Sequence, residues 1–126
     1  MNEPNLLNYL GHYKEAKKFK AGEVVFQRGQ PGNLMYIVAS GTAEIRIGET
    51  LIEVVNAGGM VGELSLLDGA PQNSTVIARS ACELVPIDER RFSFLVSQPM
   101  FALDVMRIMA RRIRAANPAP KKRSLS

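Results

Sequence analysis

Nine of the ten glycines in this 126-residue chain lie between Gly22 and Gly69, and the runs between them are short and rich in Val, Ile, Tyr and Thr. That rhythm suits strands of a few residues joined by tight turns, so the centre of the chain reads as a β-roll. Strands are expected over 24–26, 34–39, 42–47, 51–55, 74–78 and 83–87. In the third of these, Ala43, Ile45 and Ile47 alternate with Thr42, Glu44 and Arg46, which predicts one buried and one wetted face. Gly48-Glu49 then fits a two-residue hairpin connection, with glycine supplying the positive φ.

Outside the glycine-rich centre the period changes. Residues 5–12 can form a short helix with Leu6, Leu7 and Leu10 on one side. Residues 14–19 read as a helix end or an edge strand. Asp88 is a good N-cap for a helix over 89–97 with Phe92, Leu95 and Val96 on one face. Pro99 opens a second helix that runs to about Ala116 and stops at Asn117-Pro118. Its apolar positions Ala102, Met106, Met109, Ile113 and Ala116 are spaced 4-3-4-3. Two heptads serve either packing on the domain's own sheet, the favoured reading, or a homodimer seam through 99–116. The length fits one domain, divided into an N-terminal helical segment (1–19), a β-roll (20–87), C-terminal helices (88–116) and a basic, flexible tail (117–126).

The stretch most suited to chemistry is residues 61–78, V-G-E-L-S-L-L-D-G-A-P-Q-N-S-T-V-I-A. Gly62 frees the backbone to turn, so the amides of Glu63, Leu64 and Ser65 can form the positive end of a one-turn helix that attracts anions. A carboxylate at Glu63 beside that anion hole can accept hydrogen bonds from neutral hydroxyls such as those of a sugar. A phosphate carrying a sugar is the expected ligand class.

At these residues the chain resembles the cyclic nucleotide-binding domain family, which includes bacterial regulators of the catabolite-activator type and the regulatory subunits of kinases. Gly62, Glu63, Ser65, Leu66, Pro71, Thr75, Val76 and Ala78 fall into that family's second signature. V-F-Q-R-G-Q-P-G-N-L-M-Y-I-V-A-S-G, residues 25–41, matches the first, with Gly29, Gly32 and Gly41 at its spacing and Met35 to Val38 as its apolar run. The resemblance implies a mainly β fold: a double-stranded β-helix (a jelly-roll or cupin-like β-roll) with a short N-terminal helix, a one-turn phosphate-loop helix and two C-terminal helices. It also implies that Glu63 accepts a ribose 2′-hydroxyl and that the amides after it hold a cyclic phosphate.

The family's phosphate-pairing Arg is absent, because Gln72 occupies its position and Asn73 and Ser74 follow. Replacing a charge-assisted hydrogen bond by a neutral one weakens phosphate binding by about 3- to 30-fold. Gln72 and Asn73 still offer amide N–H donors, and Arg79 is a candidate replacement cation. The expected binding residues are therefore Gly62, Glu63, Leu64, Ser65, Gln72, Asn73 and Ser74. The implied function is a regulatory sensor of cAMP, cGMP or a related anionic effector, signalling through its C-terminal helix. The alternative is a ligand-free interaction or dimerisation module on the same fold.

Composition narrows the remaining classes. Seven of the 16 Lys and Arg residues lie in 107–126, a stretch without an acid, whereas the rest of the chain carries nine against all 12 Asp and Glu. The basic excess therefore belongs to the C-terminal end, and reads as a solvated face rather than a nucleic-acid contact. With N-P-A-P-K-K-R-S-L-S at its end, direct transcription-factor function through a helix-turn-helix is not expected unless this is a fragment. No basic leader and no apolar stretch of membrane-spanning length is present, so a cytoplasmic protein is expected. His12 is the only histidine and Cys82 the only cysteine, which argues against a Cys/His metal site, a catalytic triad or a histidine-ligated enzyme centre. Neither a catalytic residue nor a cofactor is expected. Cys82 reads as a small buried residue, and Glu44, Glu49 and Glu53 as solvent-facing.

Overall fold

A computed structural model describes residues 3–12 and 15–117. A single 3-10 turn over Leu6–Tyr9 leads into eight strands: β1 (Lys17–Phe19), β2 (Val24–Phe26), β3 (Leu34–Ser40), β4 (Ala43–Ile47), β5 (Thr50–Val55), β6 (Met60–Val61), β7 (Thr75–Ala78) and β8 (Cys82–Asp88). Helix α1 (Glu63–Asp68) separates β6 from β7, and α2 (Glu89–Val96) and α3 (Pro99–Ala116) close the described chain. The strands form two four-stranded sheets, in the orders β1-β8-β3-β6 and β2-β7-β4-β5. Every recorded pairing is antiparallel. The architecture is mainly β, a roll of two sheets with helices at its ends.

Two apolar clusters hold the fold together. Between the sheets lie Phe26, Tyr36, Val38, Val61, Val76 and Leu84 among others. On the outer face of the β8-β3-β6 sheet, Met35, Ile37, Met60, Val85 and Ile87 meet Leu6, Phe92, Leu95, Phe101, Val105 and Ile108. Alternate residues of β3 thus enter different clusters, which is why Met35 to Val38 is an unbroken apolar run. Cys82 is buried at the edge of the inner cluster, and burial pushes its thiol pKa up.

The helices follow their local chemistry. Asp88 caps α2, its carboxylate accepting from the Arg91 N–H at 2.8 Å, and Pro99 occupies the first turn of α3. Phe101 is fully buried against the edges of Tyr9 and Phe92, at centroid distances of 5.4 and 6.2 Å. No single helix is long and apolar enough to cross a membrane among the described residues.

The structure departs from the sequence reading in several places. Of the two readings of 14–19, the structure has the edge strand, Lys17–Phe19 paired with β8, so the helical part of the 1–19 segment ends before it. The two-residue strand β6 lies between glycines and is too short to show a period. On α3 the buried stripe is Phe101, Val105 and Ile108. It is displaced by one residue from the expected 4-3-4-3 series, of which Met106 and Ile113 are exposed. In β4 only Ala43 of the three apolar residues is fully buried, and Ile47 is exposed. Ile45 packs against the inner cluster and also borders a cavity, which Ile47 lines as well. Lys121, Lys122 and Arg123 of the basic tail lie outside the described residues.

Candidate functional site

Gly62 sets the site. Its φ of 82° turns the chain from β6 into α1, and an added Cβ there would lie 3.1 Å from the Phe26 ring and 3.3 Å from the Leu34 carbonyl oxygen. Only glycine satisfies both conditions without strain. Helix α1 has six residues and no side-chain cap. Behind it the loop at Gly32 approaches so closely that a Cβ would fall 1.9 Å from that of Ser65. This contact brings the two glycine-bearing signatures, distant in sequence, against each other.

Gln72 is held in place from both sides. Its backbone N–H donates to the Gln30 carbonyl at 2.9 Å, and its carbonyl accepts from the Gly29 N–H at 2.8 Å. Its side-chain oxygen accepts from the Ser65 hydroxyl at 3.1 Å, and its amide N–H pair makes no hydrogen bond among the described residues. Of the seven expected binding residues, Gly62, Glu63, Leu64, Gln72, Asn73 and Ser74 line one cavity of about 610 Å³. Ser65 does not line it, and its hydroxyl instead donates to Gln72. The volume lies within the roughly 300–1,000 Å³ usual for small-molecule sites.

The opposite walls come from elements that sequence reasoning had not connected to the site. Ile45, Ile47, Leu51 and Ile52 of the β4-β5 hairpin form an apolar side, and Met109 and Ile113 of α3 close it. Arg112, also on α3, reaches back into the cavity. Its Nε donates to Glu53 Oε1 at 2.8 Å, its Nη1 to Glu63 Oε2 at 3.0 Å and its Nη2 to the Met60 carbonyl at 2.5 Å. Glu63 Oε1 is buried and has no hydrogen-bond partner among the described residues. Buried polar atoms are nearly always satisfied, so an orphaned carboxylate oxygen beside a cavity needs an explanation.

Three assignments change accordingly. Glu53, expected to face solvent, is paired with Arg112; it sits opposite Ile45 in the β4-β5 ladder and so shares the cavity face. Glu44 is paired with Arg46 at 2.8 Å and with Arg79 at 3.7 Å. Arg79, considered as a replacement cation, is committed to that pair and does not line the cavity. Arg112 continues the buried stripe of α3, four residues after Ile108. A positive charge at such a position was the available signal.

Comparison with known proteins agrees with the geometry. Residues 16–98 match the family model of the cyclic nucleotide-binding domain. The chain is 29% identical over 123 residues to a CRP-like cAMP-activated global transcriptional regulator of Mycobacterium tuberculosis, covering 91% of this chain and 54% of that protein. It is 38% identical over 71 residues to a cAMP-dependent protein kinase regulatory subunit of Dictyostelium discoideum, covering 52% of this chain and 22% of that one. The solved catabolite activator protein of Thermus thermophilus superposes with a TM-score of 0.71 at 26% identity, covering 82% of this chain and 52% of the other. The chain thus spans about half or less of the length of these relatives.

Proposed function

Because the chain belongs to the cyclic nucleotide-binding domain family, we propose that its cavity binds a cyclic nucleotide, cAMP or cGMP, and that occupancy is passed on through α3. Glu63 Oε1 accepts a ribose hydroxyl, Gln72 and Asn73 donate amide N–H groups to the phosphate, and the hairpin isoleucines with Met109 and Ile113 cover the base. The protein acts in the cytoplasm as a regulatory, non-enzymatic domain. Gln72 in place of a cation makes the binding weaker than that of an Arg-bearing pocket.

The observation that carries this reading is the orphaned Glu63 Oε1 beside an apolar-walled cavity. A carboxylate oxygen taken from water without a partner costs more than most side-chain contacts return, and a ligand hydroxyl removes that cost. Titration calorimetry with cAMP and cGMP is the direct test. Measurable heat that Glu63→Ala abolishes is the expected result; absence of heat from the wild type at millimolar cAMP and cGMP rejects the reading, and binding restored by Gln72→Arg then marks a pocket that has lost its ligand.

The exposed Met106 and Ile113 on α3 favour a second reading, a homodimer formed through 99–116. Sedimentation at several protein concentrations separates the two, because association through that face without any response to nucleotide is the signature of an interaction module.

A further inference from the structure

Among the described residues lining the cavity, Glu53 and Glu63 are the acids and Arg112 the single cation. Their formal sum is negative, which opposes an anionic ligand unless the cation takes part directly. Arg112 has the capacity to do so. A guanidinium carries five N–H donors, and the three bonds to Glu53, Glu63 and Met60 occupy one each on Nε, Nη1 and Nη2. A second N–H on each terminal nitrogen remains for the oxygens of an anion. The side chain is 19% exposed, so a bond made there is only partly screened by water.

Resting on the cyclic-nucleotide reading, we propose that Arg112, carried by α3, is the cation that receives the ligand's phosphodiester. The charge missing from the loop at Gln72 is then supplied from the helix. Glu63 and Glu53 hold the guanidinium over the cavity before binding, and Glu53 sets how much of its charge the ligand meets. Binding and helix position become one equilibrium, because the anion strengthens the hold on α3.

The test compares cAMP with adenosine, which lacks the phosphate, by calorimetry on the full chain. For the wild type, cAMP binds more tightly than adenosine. Arg112→Gln is expected to weaken cAMP by about 10- to 100-fold while changing adenosine by less than about threefold. Glu53→Gln, which leaves Arg112 with less neutralisation, is expected to tighten cAMP several-fold. Moving the charge back in the Gln72→Arg/Arg112→Gln double variant is expected to recover cAMP affinity.

Equal loss of cAMP and adenosine in Arg112→Gln, or no loss of either, overturns the proposal while leaving the cyclic-nucleotide reading in place. If the wild type binds neither cAMP nor cGMP, both the proposal and the reading fail. Should Arg112→Gln not fold, as judged by circular dichroism, Arg112→Lys and Glu53→Gln decide. Lysine keeping part of the preference for cAMP, together with tightening by Glu53→Gln, supports the role; a cAMP-to-adenosine ratio unmoved by both rejects it.

Discussion

Single residues in this chain are constrained by what surrounds them more than by their own type, and Gly62 and Cys82 show it in opposite ways. Gly62 combines a positive φ with a ring 3.1 Å from where a side chain would begin. The left-handed conformation alone costs an L-residue about 1–2 kcal/mol. Gly62→Ala is therefore expected to destabilise the fold by about 2 kcal/mol, read as a lower urea midpoint with unchanged slope. Cys82 is buried, and desolvation raises its thiol pKa, with the Glu23 carboxylate adding to the effect. A raised pKa means less thiolate at any given pH, and thiolate is the reactive form. At pH 8 a thiol reagent is thus expected to modify native Cys82 far more slowly than the urea-unfolded chain. Equal rates would show that the inner cluster opens readily.

Elements show where sequence was sufficient and where it was not. The β4-β5 hairpin closes through Gly48-Glu49 as read, with Ile47 paired to Thr50, because a two-residue turn is a local matter. Alternation in β4 marked two faces but not what each would meet, so Ile47 and Glu53 were assigned to core and solvent when both line the cavity. That outcome depends on α3 returning over the roll, a long-range event with no local signature. The one-residue displacement on α3 has the same origin. Ala102, Met106, Met109 and Ile113 keep as regular a spacing as Phe101, Val105 and Ile108, and volume decided between them: Phe101 fills the space between Tyr9 and Phe92. Phe101→Ala is accordingly expected to cost about 3–5 kcal/mol. Hydrogen exchange should show the loss first in α3, with β3 and β8 opening only at the global free energy. Simultaneous loss of protection in the sheet and the helix would mean that the two clusters unfold as one.

At the scale of the whole molecule, the N-terminal segment is joined to the C-terminal helices by charges as well as by apolar contact. Glu3 pairs with Arg111 at 2.8 Å, Glu15 pairs with Arg91, and the Tyr9 hydroxyl donates to Asp104 at 2.7 Å. Hydrogen bonds from Arg111 and Arg91 lower the pKa of Glu3 and Glu15 below their ordinary value of 4.5. A depressed folded pKa means that each pair contributes above the unfolded pKa and loses that contribution as pH falls through the folded one. The pairs are exposed, so each is worth between nothing and about 1 kcal/mol, less in salt. Leu6 and Leu10 are buried in the helical cluster, and burial of each side chain contributes about 1.5–3 kcal/mol. Apolar contact therefore outweighs charge in holding the segment down. Acidification from pH 6 to pH 3 should lower the melting temperature only modestly through these two glutamates. Glu3→Gln/Glu15→Gln should remove that part of the acid dependence, and Leu6→Ala should destabilise more at pH 6 than the double variant does. If the double variant instead proved the more damaging at pH 6 and high salt, the anchor would be electrostatic and the ranking of the two forces reversed.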